Sequence, residues 1–291
     1  PVQRADDRAV EELSEDQLKK LKAYYGFDKP WPLAYLSWLG RVCTGDLGTS
    51  QRYNEPVWTL IRERLPVSTY FGVVTLVLSY LVCIPLGVLK ALKHRTPLDT
   101  ASSTLIFAGY AIPNFALGAL LVVFCATRWK WFPSRGFTSE EFDDLTMLGK
   151  AWDIQRHTAL PLTCYMIGNF AFLTMMKKNS LMDNLAADYM RTAMSKGSSF
   201  AQAVRRHALR NSFIPIATSL GHALGIFVAG SFLIESIFDI DGFGLLGLDA
   251  LLGRDYPVVM GELVIVALLT LLGNILSDFF VALTDPRVRF D

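Results

Sequence analysis

The sequence is short of charge. Of its 291 residues only 19% are Asp, Glu, Lys or Arg, where a soluble domain carries about a quarter. The deficit is concentrated in five long segments, which excludes an ordinary globular domain and points to a chain that crosses a membrane several times. Cysteine is scarce as well. Three of the four (Cys43, Cys83, Cys125 and Cys164) lie in apolar runs, where a thiol behaves as a small hydrophobe. There is no Cys-x-x-Cys pair, and His94, His157, His207 and His222 are scattered, so neither a disulfide framework nor a metal site is expected. Gly-x-x-x-x-Gly-Lys-Ser/Thr is absent. The chain therefore lacks that phosphate cradle, and any linked ATP hydrolysis must come from another chain. A net charge of +1 gives no reason to expect nucleic acid.

What is present is apolar and aromatic, 52% and 12% of the residues respectively. Spans are expected over about 67–89, 100–127, 158–176, 214–234 and 258–281, each near the roughly 20 apolar residues a bilayer requires. The second contains Pro113-Asn114 and is long enough to tilt or kink. Residues 1–58 read as a polar segment in water. Val10, Leu13, Leu18, Leu21 and Tyr25 fall on one helical stripe, and Ser14 with Gln17 has the spacing of a capping box. Trp31, Tyr35 and Trp38 follow, an aromatic group of the kind found at membrane interfaces.

Loop charges give the orientation. The loop 177–213 carries Lys177, Lys178, Arg191, Lys196, Arg205, Arg206 and Arg210 against Asp183 and Asp188. After the fourth span come Glu235, Asp239, Asp241, Asp249 and Asp255 against Arg254. The positive-inside rule then puts 90–99, 177–213 and the C-terminus in the cytoplasm and residues 1–58 outside. A polar segment does not reach that side unaided, so an upstream span or signal anchor is expected, six spans in all.

The loop 177–213 also holds the most specific pattern. Leu181, Leu185, Tyr189 and Thr192 would share one face of a short amphipathic helix, which Gly197 would end in a left-handed conformation. Such a helix suits a groove on a soluble partner. An ordinary basic loop is the plainer alternative.

Ala193-x-x-x-Gly197, followed by His207-Ala208-Leu209-Arg210-Asn211, resembles the coupling loop of ATP-binding cassette importer permeases, in the version of the dipeptide and oligopeptide branch. The general motif begins Glu-Ala-Ala; here Arg191, Thr192 and Ala193 stand in those places. The resemblance runs along nearly the whole chain. Tyr25-Gly26-Phe27-Asp28-Lys29-Pro30, Gly45-Asp46-Leu47-Gly48-x-Ser50, Pro56-Val57 and Arg64-Leu65-Pro66 are similar to the lead-in of B-type peptide permeases. Glu235-x-Ile237-Phe238, Gly242-x-Gly244, Asp255-Tyr256-Pro257-Val258 and Asp285-Pro286-Arg287 are similar to their later segments. The loop 131–156, with Glu140, Glu141, Asp143 and Asp144, resembles the subfamily associated with microcin C-like and longer peptides.

The resemblance implies an all-α membrane protein of the bacterial inner membrane, with a type I importer permease (MetI-like) core over 66–284. It implies a second homologous permease, two ATPase subunits that bind ATP and Mg, and an extracytoplasmic peptide-binding protein. A 183–197 helix would couple to the ATPases through Asp188, Tyr189, Arg191, Ala193, Lys196, Gly197, His207, Arg210 and Asn211.

Embedded polar groups are costly and often functional. His222 lies within Gly221-x-x-x-Gly225-x-x-x-Ala229, a ridge of small residues suited to close helix contact. It lines the translocation path or bridges two helices. Asn114 serves the path or repairs the kink at Pro113, and Asn169 is a further path candidate. Asp239, Asp241 and Asp255 read as contacts for the binding protein, solvated turn residues or, for the first two, a cation site. An intramembrane enzyme would need a nucleophile and base at bilayer depth, and no such pair stands out. An importer of nickel or another small solute on the same scaffold is the nearer rival, and the few histidines disfavour the metal.

Overall fold

The computed structural model describes residues 30–228 and 231–284. The expected stripe over 10–25, its Ser14–Gln17 box and the Asp285-Pro286-Arg287 motif lie outside the described residues. The chain divides into two compact units, Pro1–Gly48 and Thr49–Asp291. The expected 1–58 segment is therefore cut short: residues 49–58 belong to the helical unit, because Ser50 and its neighbours bind Asp255.

In the first unit, α1 (Trp31–Cys43) starts behind Pro30 and carries a proline in its first turn, where a missing N–H costs nothing. No residue of α1 is buried, and the Tyr35 and Trp38 rings lie 5.9 Å apart.

The second unit is helical. It comprises α2 (Val57–Leu92), α3 (Pro97–Ala111), α4 (Asn114–Leu121) with a π-helical continuation Val122–Arg128, and α5 (Met147–Ala186). Then follow α6 (Asp188–Ser195), α7 (Phe200–Ala203) with a π-helical turn Val204–Ala208 and a last turn Leu209–Asn211, and α8 (Ile214–Val228). The short α9 (Phe232–Ile237) and α10 (Phe243–Leu252) lead to α11 (Tyr256–Thr284). Among the described residues the extended structure is a single bridge, Thr49 to Pro56.

Three helices, α2, α5 and α11, are each long and apolar enough to cross a membrane, and the α3–α4 pair makes a fourth candidate span. At 36 and 40 residues, α2 and α5 measure about 54 and 60 Å, against a hydrocarbon core of about 30 Å. The expected spans 67–89 and 158–176 are only their central parts. The expected second span is broken: α3 and the helix Asn114–Arg128 meet at 89°. Ile112 has φ −86° and ψ 122°, the extended conformation that a following proline ring imposes by steric clash. The expected fourth span, 214–234, is not one helix either, since Ser231 is extended and α9 begins at Phe232.

Packing depends on small residues, because lipid tails supply no hydrophobic force to drive helices together. A Cβ on Gly87 of α2 would lie 2.7 Å from Lys177 Cβ and 2.8 Å from the Thr174 carbonyl oxygen of α5. Further along the same seam Phe71 stacks on Tyr165, with centroids 5.6 Å apart. Gly221 of α8 sits directly on the Gly273 carbonyl of α11, and Ser277 Oγ donates to the Ala217 and Thr218 carbonyls at 3.0 and 2.6 Å.

Candidate coupling surface and translocation path

The chain breaks between α5 and α6 at Ala187, whose ψ of 148° is extended. The expected helix over 183–197 is therefore two elements: Leu181 and Leu185 lie on α5, Tyr189 and Thr192 on α6. Asp188 opens α6, where a negative charge favours the helix dipole. Met190 is 1% exposed and fills a cluster with Ala91, Leu181, Ala203, Val204 and Ala208. Ala193 and Tyr189 pack against the same cluster. The Tyr189 hydroxyl donates to Asn184 Oδ1 at the end of α5, and its ring lies 6.4 Å from that of His207. Gly197, at φ +91°, closes α6 as expected. Its N–H reaches the Met194 carbonyl at 2.9 Å, and the Ser198 N–H reaches that of Ala193 at 3.1 Å, the paired bonds of a glycine-ended helix. Arg191, Lys196, Arg210 and Asn211 are exposed, as are the apolar Met194 and Phe200.

Below α6 lies a charged knot that the sequence hides. Lys90 and Lys177 have no exposed surface, and Lys178 very little, although all three fall in the segments that the loop charges assign to the cytoplasm. Lys178 Nζ lies 2.8 Å from both Asp99 oxygens, and Lys90 Nζ is 3.1 Å from Oδ1. Lys90 also donates to the Asp99 carbonyl, Ser102 Oγ and Ser103 Oγ at 2.9, 2.7 and 2.8 Å. His94 and the Arg95 N–H complete the carboxylate's neighbours at 3.3 and 3.2 Å. Lys177 Nζ donates to Ser212 Oγ at 2.8 Å and stands 3.5 Å from the centre of the Phe213 ring. The end of α2, the start of α3 and the Lys178 turn of α5 are thereby tied together next to α6, and Lys177 holds Ser212 and Phe213, just ahead of α8. The available signal was Asp99, the lone carboxylate of a basic loop.

The path candidates separate. Asn114 is the first residue of α4, at the bend, and its amide lies where a Cβ on Gly168 of α5 would be. Asn169 is half-buried on the same stretch of α5. His222 lies on α8, but its side chain is outside the described residues.

At the far end of the bundle the three acidic candidates also differ. Asp255 is 1% exposed; it accepts from Ser50 Oγ and from the Gln51 and Arg52 N–H groups, the last two at 3.2 Å each. A carboxylate so enclosed holds its own chain and presents nothing to a partner, which corrects its expected docking role. Asp255→Ala is expected to cost about 2–3 kcal/mol, the scale for losing hydrogen bonds to a charged group, and to expose the 50–53 turn to proteolysis. Unchanged cleavage there would show that the turn holds without it. Asp241 pairs with Arg64 Nε at 2.7 Å and remains largely exposed, while Asp239 is an exposed residue at φ +52°. Glu235, fully buried, accepts from Ser68 Oγ at 3.1 Å and from the Leu245 N–H at 2.7 Å. Gly242 and Gly244 leave room for that carboxylate, since a Cβ on either would come within 2.6 and 3.2 Å of it. The Glu235 and Gly242-x-Gly244 motifs are thus two halves of one helix cap.

A family model described as "Binding-protein-dependent transport system inner membrane component" matches residues 83–290. The chain is 38% identical over 287 residues to a protein of Agrobacterium fabrum named "Peptidoglycan transport system permease protein YejB", covering 98% of this chain and 79% of that one. It is 39% identical to the "Inner membrane ABC transporter permease protein YejB" of Escherichia coli, over 96% of this chain and 78% of the relative. Against the "Oligopeptide transport system permease protein AppB" of Bacillus subtilis the identity is 35%, over 91% and 83%. In backbone the chain is similar to one from the MetNI methionine ABC transporter, with a TM-score of 0.59 and 16% identity, over 78% of this chain and 97% of that one.

Proposed function

Since the chain belongs to the family of binding-protein-dependent transport system inner membrane components, we propose that it is a permease subunit of an importer for short peptides. Relatives named as oligopeptide and dipeptide permeases support the cargo. The subunit would pair with a second homologous permease in the bacterial inner membrane. Two ATPase subunits would supply the ATP and Mg sites on the cytoplasmic side, and an extracytoplasmic protein would deliver the peptide. The loop charges favour α6 in the cytoplasm and the N-terminal segment outside.

The observation that carries this reading is α6 itself, a short helix set apart by Ala187 and Gly197 yet anchored through Met190. Closure of the ATPases would push on its exposed Arg191, Thr192 and Ser195. Met190 would pass the push to α2 and α5, and the Lys90–Asp99–Lys178 knot would make the helix ends move together, as rigid bodies. Reconstituted with these partners, the chain is expected to support tripeptide uptake only with ATP and a loaded binding protein. Uptake of nickel and not of peptide under the same conditions would overturn the cargo.

Gly197→Val tests the coupling helix. A Cβ there meets nothing within 4 Å, so the penalty is purely conformational, about 1–2 kcal/mol for a branched residue forced left-handed. Uptake should fall about tenfold, the equivalent of that penalty, with membrane insertion unchanged. Gly197→Asn, which tolerates positive φ, should retain most of it. Normal uptake by the valine variant would remove Gly197 from coupling.

A further inference from the structure

On the side of α5 away from α2 there is an open groove of about 610 Å³ between α3, α5 and the start of α8. Phe107 and Tyr110 of α3 form one wall, and Phe172 and Met176 of α5 the other. Asn179, Asp183 and Asn184 line its end nearest α6. On α5 the residues Asn169, Phe172, Met176, Asn179 and Asp183 recur at alternating steps of three and four, which puts them on one face of the helix. Lipid does not cover such a face. Asn169 lies within the apolar part of α5, where an amide needs water, protein or cargo for its hydrogen bonds. Asp183, exposed, has neither an ion pair nor a hydrogen bond among those described.

The groove is joined to α6. Asn184, at its rim, donates from Nδ2 to the Ser180 carbonyl at 2.7 Å and accepts the Tyr189 hydroxyl of α6 on Oδ1. A shift of α6 relative to α5 must either break this bond or carry the rim along.

We propose that this groove is a peptide subsite of the translocation path, in which Asp183 receives the peptide's terminal ammonium and the Asn184–Tyr189 bond ties the subsite to the coupling helix. The proposal rests on the peptide-importer reading. Phe107, Tyr110, Phe172 and Met176 offer aromatic and soft thioether surface, which accepts side chains of differing shape. Asp183 supplies a counter-charge for the α-ammonium that every short peptide with a free N-terminus carries. A neighbouring permease helix is the other occupant to be distinguished at such a face.

The test uses the full complex in vesicles, with benzoylphenylalanine at position 172 and radiolabelled trialanine delivered by the binding protein. Illumination is expected to attach the label to this chain in the presence of ATP. Asp183→Asn should cut the attached label about tenfold, the scale for losing one charge-assisted hydrogen bond, and Asp183→Glu should restore most of it. Co-purification of the ATPase subunits verifies that each variant assembles. Crosslinking of position 172 to the second permease alone, or equal labelling of the aspartate and asparagine variants, would overturn the subsite. Absence of trialanine uptake by the unaltered complex would instead overturn the importer reading.

Discussion

Asp99→Ala is expected to destabilise the protein by about 3–5 kcal/mol, the cost of stranding a buried charge. The substitution leaves Lys90 enclosed with hydroxyl and carbonyl oxygens but no carboxylate, and takes from Lys178 the two carboxylate oxygens that are its acceptors. Either ammonium must then shed its proton or the ends of α2, α3 and α5 must part to admit water. Asp241→Ala is the fitting comparison, because the Asp241 side chain is 71% exposed where it pairs with Arg64, and surface pairs contribute about 0–1 kcal/mol. Thermal unfolding in detergent measures both. A melting temperature for Asp99→Ala no lower than that of Asp241→Ala would mean that the knot carries no stability. Removing a cation with the anion, in Asp99→Ala/Lys178→Met, should recover part of the loss.

Gly221→Val is expected to prevent the folded protein from accumulating. The added Cβ would occupy the position of the Gly273 carbonyl, which is backbone and cannot rotate aside. The helices α8 and α11 would have to separate, and the two bonds from Ser277 to the Ala217 and Thr218 carbonyls would go with them. Overpacking commonly costs about 1–3 kcal/mol where side chains can yield; here none can. Gly40→Ala, at a site where a Cβ meets nothing within 4 Å, should accumulate like the parent. Fluorescence-detected gel filtration of tagged variants compares them directly. A normal monodisperse peak for Gly221→Val would refute the close crossing of α8 and α11.

These two positions show how unevenly the sequence discloses the fold. Gly221 was legible, since small residues four apart in an apolar run mark a helix contact, but its partner Gly273 was not, because a lone glycine carries no period. The central parts of α2, α5 and α11 were legible from hydropathy alone. Their overshoot was not, because the helices continue into polar residues where no apolar signal remains. Pro113 announced a bend without giving its size. At the candidate site Gly197 was legible because its chirality-free backbone has a specific use at a helix end. Ala187 was not, since nothing in an alanine announces an extended residue between two helices. The buried lysines mislead for a related reason. A charge count assigns Lys90, Lys177 and Lys178 to water, and only tertiary structure reveals the aspartate and hydroxyls that enclose them.

The length of α5 has a mechanical consequence. Its midpoint falls beside Gly168, where the Asn114 amide from the bend of the α3–α4 pair packs against bare backbone. About 30 Å of helix extends to either side, at 1.5 Å per residue. If α5 turns as one stiff beam about that glycine, it is a seesaw with equal arms. A tilt of about 10° then sweeps each tip through about 5 Å in opposite directions. A stroke delivered at Ala186 would then return undiminished at Met147. Gearing of one to one trades no force for distance, so work done on one side of the bilayer would arrive on the other at full amplitude.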